Sequence, residues 1–142
     1  MLNHCLDSVF SQSFDNIEHI VVDGGSTDGT LSLLNSRRSS LSAIISEPDN
    51  GIYDAMNKGI ELANGDIIGF LNSDDFYADK DVISKVEKIF KKDLSLDGCY
   101  ADLIYVDKRN INKTVRYFKS SKFQKGFFAK GWCPPHPTFF LR

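Results

Sequence analysis

Two adjacent carboxylates, Asp74 and Asp75, close the turn Asn72-Ser73-Asp74-Asp75 directly after the apolar run Ile67-Ile68-Gly69-Phe70-Leu71. Neighbours on a continuing strand point to opposite faces, but on a turn both carboxylates can serve one ligand. Two hard oxygen donors suit Mg2+ or Mn2+, with the remaining ligands drawn from water and a diphosphate. The same pair could instead only cap and solvate the segment that follows. A second chemical stretch is Asp23-Gly24-Gly25-Ser26-Thr27-Asp28-Gly29-Thr30. Its glycines allow close backbone approach, and Ser26 or Thr27 can cap a following helix and present free amides to an anion. Taken as a calcium loop of the EF-hand kind starting at Asp23, it fails on spacing: Asp28 stands where glycine is required and Leu34 where glutamate is required.

The elements that must position these groups follow from periodicity. Ile52, Met56, Ile60 and Ala63 fall on one helical face and Asp54, Asn57, Lys58 and Glu61 on the other, with Asp49 or Asn50 as the cap and Asn64-Gly65 as a left-handed end. The unbroken run 67–71 reads as a strand covered on both faces. Ile17 to Val22, Ala43 to Ser46 and Cys99 to Val106 read as further strands, and 107–113 as a polar hairpin or loop. Helices are expected over the stripe Leu2, Cys5, Leu6, Val9, Phe10, over Thr30 to Ser36, and over Val82, Ile83, Val86, Ile89, Phe90 behind a cap at Asp79. In open α/β sheets ligands bind beyond the carboxyl ends of the strands, so Asp23, Asp49 and Asp75 are expected at one crevice. Lys58 is either a surface partner for Asp54, four residues earlier, or a group facing that crevice.

The stretch SEPDNGIYDAMNKGIELANGDIIGFLNSDDF, residues 46–76, together with IVVDGGSTDGT, residues 20–30, resembles the inverting nucleotide-sugar glycosyltransferases of family 2, in particular the bacterial branch that builds exopolysaccharide and other surface glycans. The resemblance implies an α/β fold of the GT-A, Rossmann-like type, with a mostly parallel sheet flanked by helices. It implies a nucleotide-diphosphate sugar donor bound by Asp23, Ser26, Asp49, Lys58 and Asp74, and a Mn2+ or Mg2+ ion held by Asp75 and Asp74. By the same resemblance the acceptor is a glycan or a lipid-linked glycan, which brings peripheral association with a membrane through the acceptor. His136, in Pro135-His136-Pro137, either borders the acceptor side, where it could serve as the catalytic base, or is a buried histidine that fixes its loop. Many relatives of this kind carry two consecutive aspartates where this chain has Asp23-Gly24. The usual first strand precedes the helix at Leu2 in such proteins. Without it the sheet has an open edge beside the Ile20 strand, which invites pairing with a second copy of the chain.

The chain of 142 residues is read as one partial domain with a modest core. A net charge of −2 with no polybasic tract makes nucleic acid an unexpected partner. Three scattered cysteines, Cys5, Cys99 and Cys133, suggest reduced thiols and a cytoplasmic setting, at the inner face of the membrane if the acceptor is lipid-linked. Cys133 and His136 have no second ligand pair for structural zinc. Two other functions compete with transfer. One is a non-catalytic nucleotide-sugar binding piece of a larger transferase; the other is a nucleotidyltransferase, against which stands the lack of a glycine-rich, lysine-containing loop.

Overall fold

Strands β1 (Ile20–Asp23) and β2 (Ala43–Ser46) pair in parallel, Ile20 beside Ala43 and Asp23 beside Ser46, in a computed structural model that describes residues 1–142. The first strand starts three residues later than its apolar pattern suggests, because β2 offers partners only from Ala43 onward. Side chains alternate across this pair. Val21 and Ile44 turn toward helices α1 (Leu2–Phe10) and α2 (Thr30–Ser36), where Leu6, Leu34 and Leu41 form a buried cluster. On the opposite face lies α3 (Ile52–Leu62), close enough that a Cβ on Gly59 would meet the Val22 methyl at 3.7 Å. The helix therefore rests on its small side, Ala55 and Gly59, and not on the predicted stripe; Ile52 and Ile60 stay about half exposed, at 52% and 45%.

A second, antiparallel sheet has the order β3 (Ile68–Gly69), β7 (Phe140–Leu141), β4 (Gly98–Cys99). Helix α4 (Val82–Lys92) packs on it through Val86 and Phe90, which close on Phe140. The five-residue strand expected at 67–71 forms a ladder only at Ile68 and Gly69, because β7 presents just two partner residues. Gly69 is required by packing: a Cβ there would lie 2.5 Å from the Phe140 ring. The strand expected over 99–106 breaks at Tyr100 and resumes as β5 (Leu103–Asp107), which pairs with β6 (Asn110–Phe118). Of the hairpin or loop expected at 107–113, the structure forms the hairpin: the turn is confined to Lys108-Arg109, held by the Asp107 carboxylate accepting from the Arg109 amide at 2.8 Å, and 110–113 already belong to β6.

Several helix ends also differ from expectation. Helix α2 begins at Gly29 in the left-handed region (φ 92°), with Asp28 accepting from the Thr30 amide at 3.2 Å; Ser26 and Thr27 do not cap it. Gly51 (φ 108°) precedes α3, and Asp49 accepts from its amide at 2.9 Å without capping the helix itself. The end of α3 is extended at Ala63 with no left-handed residue at Asn64 or Gly65, because Glu18 accepts from both the backbone and side-chain amides of Asn64 at 2.7 and 2.9 Å. Helix α4 starts after Asp81, while Asp79 accepts from the Asp81 amide and pairs with Lys85.

Polar residues of α1 and the turn after it, Gln12 foremost, tie the first layer to the second. Gln12, buried just beyond α1, donates to the carbonyls of Ser8 and Asp79 at 2.9 and 2.8 Å and accepts from the Ile83 amide in the first turn of α4 at 3.0 Å. It does for α4 what a capping side chain would do. Gln12→Ala leaves part-buried partners unsatisfied and is expected to lower stability by about 1 kcal/mol in denaturant unfolding. A loss under ~0.5 kcal/mol would show that water replaces it.

His19 offers a pH signature. Its Nδ1 is buried without a hydrogen-bond partner, its ring meets Phe10 edge-on at 5.6 Å, and burial holds its pKa below the ordinary histidine value. The unfolded chain therefore takes up the proton first. Stability from this group is complete above the unfolded pKa of about 6.5 and falls as pH drops below it, with a slope of at most about 1.4 kcal/mol per pH unit. His19→Phe should flatten urea midpoints between neutral pH and the acid side of that value; an unchanged slope would assign the effect elsewhere.

Candidate functional site

The two acidic stretches approach from different units. On the first, Asp23 ends β1 buried, accepting from the Ser26 amide at 3.0 Å and the Ser46 hydroxyl at 2.7 Å. Burial opposes its ionisation, but the hydrogen bonds from Ser26 and Ser46 outweigh this and hold its pKa below the ordinary aspartate value. Asp23 therefore organises the loop as an anion, and Ser46 is a functional neighbour that the sequence pattern missed. What brings it there is the β1–β2 register, which sets Ser46 opposite Asp23 and which the sequence alone does not give.

Beside this loop runs 47–51. A Cβ on Gly24 would lie 2.7 Å from an Asp49 carboxylate oxygen, so the missing side chain of Gly24 is what lets Asp49 sit there. Lys58 reaches back from α3 to the same loop, with its ammonium 2.8 Å from Glu47, 3.2 Å from the Pro48 carbonyl and 3.7 Å from Asp54. The hydrogen bond to Glu47, followed by the charges of Glu47, Asp54 and Asp49, raises its pKa. The surface pairing of Lys58 with Asp54 is present, and the same ammonium also reaches Glu47 and the Pro48 carbonyl. Asp23, Ser26, Asp49 and Lys58 are thus one cluster.

Asp74 and Asp75 form the second. The Asp75 amide donates to the Asn72 carbonyl at 3.0 Å, and the Asn72 side-chain amide donates to the Asp75 carboxylate at 3.2 Å. The Cys5 thiol donates to the Asn72 carbonyl at 3.4 Å, fixing the turn against α1. Burial first, and then the charge of Asp74, push the Asp75 pKa up; burial and both aspartates push the Cys5 thiol to about 11. Neither carboxylate of the turn has a lysine or arginine partner, although six ion pairs occur elsewhere. Two carboxylates that repel each other and lack a cation fit a divalent ion. No third His, Cys, Asp or Glu joins them, so such an ion would complete its shell with water and diphosphate oxygens.

No hydrogen bond or ion pair joins the two clusters, and the cleft of about 1640 Å³ beside them is lined by Asp74 but not by Asp75, Asp23, Ser26, Asp49 or Lys58, so it is not the single crevice expected to gather Asp23, Asp49 and Asp75. Its walls include Val22 next to Asp23, Ile52 and Met56 of α3, and the continuous stretch from Ile67 to Asp74. The free edge of β1, which pairs only with β2, faces this cleft, as the open edge expected beside Ile20 requires. His136 is exposed and lies edge-on to Tyr53 in the first turn of α3, with ring centroids 6.5 Å apart. Its exposure removes the reading in which it is a buried loop anchor.

A parallel βα layer with acidic loops at its strand ends, followed by an antiparallel second sheet that carries an acidic turn, fits an α/β domain of the GT-A type. The chain belongs to glycosyl transferase family 2, whose family model matches residues 1–142. It is 37% identical over 145 residues to a PGL/p-HBAD biosynthesis glycosyltransferase of Mycobacterium bovis, a match covering 100% of this chain and 54% of that protein. It is 34% identical over 113 residues to chondroitin synthase of Pasteurella multocida, covering 78% of this chain and 11% of the synthase. Among solved structures it is similar to Staphylococcus aureus TarS 1-349, with TM-score 0.67, 25% identity, and 78% of this chain and 34% of that one covered. It shares its fold with the mannosyltransferase PcManGT of Pyrobaculum calidifontis, solved with GDP-Man and Mn2+, with TM-score 0.64, 22% identity, and 78% and 33% covered. The chain spans about half the length of the curated relative it matches throughout. No helix is long and apolar enough to cross a membrane, and all three cysteines are unpaired.

Proposed function

We propose that this domain binds a nucleotide-diphosphate sugar and, within the protein it belongs to, transfers the sugar with inversion to a glycan or lipid-linked acceptor. The observation that carries the reading is the Asp74-Asp75 turn, which has no lysine or arginine partner and whose Asp74 lines a large cleft. Asp23 and Asp49 bind base and ribose, with Ser26 presenting its end of the loop. Lys58 lies toward the diphosphate, and Asp74 toward donor hydroxyls. Asp75, with Asp74, would hold Mn2+ or Mg2+, which supplies positive charge to the departing diphosphate. His136 stands on the acceptor side, where an exposed imidazole can receive the acceptor's proton.

Calorimetric titration of the chain with a nucleoside diphosphate tests this, with Mn2+ or with chelator. Tighter binding with the metal is expected, by linkage of the two ligands. Equal affinity in both conditions would sink the metal assignment, and no binding in either would sink the donor reading. Donor binding without any turnover in a protein carrying the whole domain would favour a purely binding role.

A further inference from the structure

The net charge of −2 conceals a sharp division. Nine of the 17 Lys and Arg, and none of the 19 Asp and Glu, lie in residues 108–142. The first 107 residues hold the other eight cations and all nineteen acids, so the chain carries about +9 at one end of the sequence against −11 before it. Every lysine and arginine from Lys108 to Lys130 is exposed, and only Lys113 has an acidic partner, Asp107 at 3.8 Å. Arg116 lies over the Tyr105 ring at 5.6 Å.

In the sequence these exposed cations alternate with apolar side chains that are themselves exposed. The β5–β6 hairpin pairs with no third strand, and it shows side chains on both faces. Ile104 and Tyr117 are cross-strand neighbours, and Val115 is left without a partner at the register irregularity opposite Tyr105 and Val106; Val115 is 64% and Tyr117 60% exposed. A lone two-stranded ribbon is marginal in water and gains from a covering layer. At its base Phe123, Phe127, Phe128 and Trp132 pack on one another with centroids 5.4 to 6.3 Å apart, and Phe128 remains 58% exposed. The knob is tied to the hairpin through Ser121, whose carbonyl accepts from the Tyr100 hydroxyl at 2.7 Å and whose hydroxyl accepts from the Trp132 indole at 3.0 Å.

We infer that the hairpin and aromatic knob, residues 103–132, form a docking surface for an anionic lipid bilayer, independent of any bound acceptor. Lysines interspersed with exposed aromatic and aliphatic side chains match an interface that is negatively charged outside and apolar a few ångströms deeper. Single-stranded nucleic acid also takes basic and aromatic residues, but it needs open ring faces for stacking. Here the four rings of the knob pack on one another, which leaves Phe128 and Tyr117 as separate exposed rings, and Ile104 and Val115 offer no stacking surface. The inference does not rest on the donor reading, and the two are separable by experiment.

Flotation of the chain with phosphatidylcholine vesicles, with and without phosphatidylglycerol, tests it. Binding should require the anionic lipid and weaken with salt. Each cation near such a surface contributes about a fivefold change in affinity, so the double variant Lys122→Glu, Lys125→Glu should bind at least ~10-fold more weakly. Phe128→Ser with Tyr117→Ser should weaken binding that persists at high salt, while circular dichroism and nucleoside diphosphate titration stay as in the parent. Equal binding to both vesicles, binding to neither, competition by soluble glycerol phosphate, or preference for single-stranded RNA or an acidic peptide would each overturn the proposal.

Discussion

Asp75→Ala is expected to abolish the metal-dependent part of nucleoside diphosphate binding while leaving the fold intact. Changes to groups that merely orient a metal ligand cost about 10–100-fold in affinity, so removing the ligand itself should cost about 100-fold or more. Asn72 is such an orienting group, since its side-chain amide holds the Asp75 carboxylate at 3.2 Å. Asn72→Ala should therefore cost about tenfold on its own and nothing further once Asp75 is gone. Stability should move the other way. Burial and Asp74 raise the Asp75 pKa in the folded protein, which means that its charge is disfavoured there relative to the unfolded chain. Above that raised pKa the ionised group works against folding, so the alanine variant without metal should be at least as stable as the parent. Titration calorimetry and urea unfolding on the same samples check both halves. A variant that binds normally, or one that unfolds, would remove Asp75 from the metal site.

How far the residues announced this arrangement depends on what fixed each element. Helices α1, α2 and α4 were legible because their apolar spacing alone decides them, and Ala43 to Ser46 was legible for want of any alternative. The strand at 67–71 was over-read because its length is set by a two-residue partner far along the chain, Phe140-Leu141, which no local pattern reveals. The caps were misplaced for a related reason. Asp28, Asp49 and Asp79 each accept from the amide two residues on, and that local turn competes with capping. Among the site residues, the pairing of Asp49 with Gly24 and of Lys58 with Glu47 lay beyond a single sequence, because both are contacts between loops. The charge division was fully legible, but a whole-chain sum cancels it.

Gly24→Asp is the complementary expectation on the donor side. Family resemblance makes a second aspartate here seem harmless, since many relatives carry one. In this chain the space is taken: a Cβ at position 24 would lie 2.7 Å from an Asp49 carboxylate oxygen and 3.2 Å from its carboxyl carbon. The new side chain would add overpacking, which typically costs about 1–3 kcal/mol, and a second negative charge beside the first. Asp49 must then leave, and with it the acceptor for the Gly51 amide that sets the entry to α3 and so the placing of Lys58. Donor affinity is expected to fall by at least ~10-fold, a factor corresponding to about 1.4 kcal/mol. The decisive comparison is the exchange Gly24→Asp with Asp49→Gly. If the two positions compete for one carboxylate site, the double variant should recover part of the affinity that Gly24→Asp loses. Losses that simply add would mean that the carboxylates act separately, and unchanged binding in Gly24→Asp would show that the loop yields without cost.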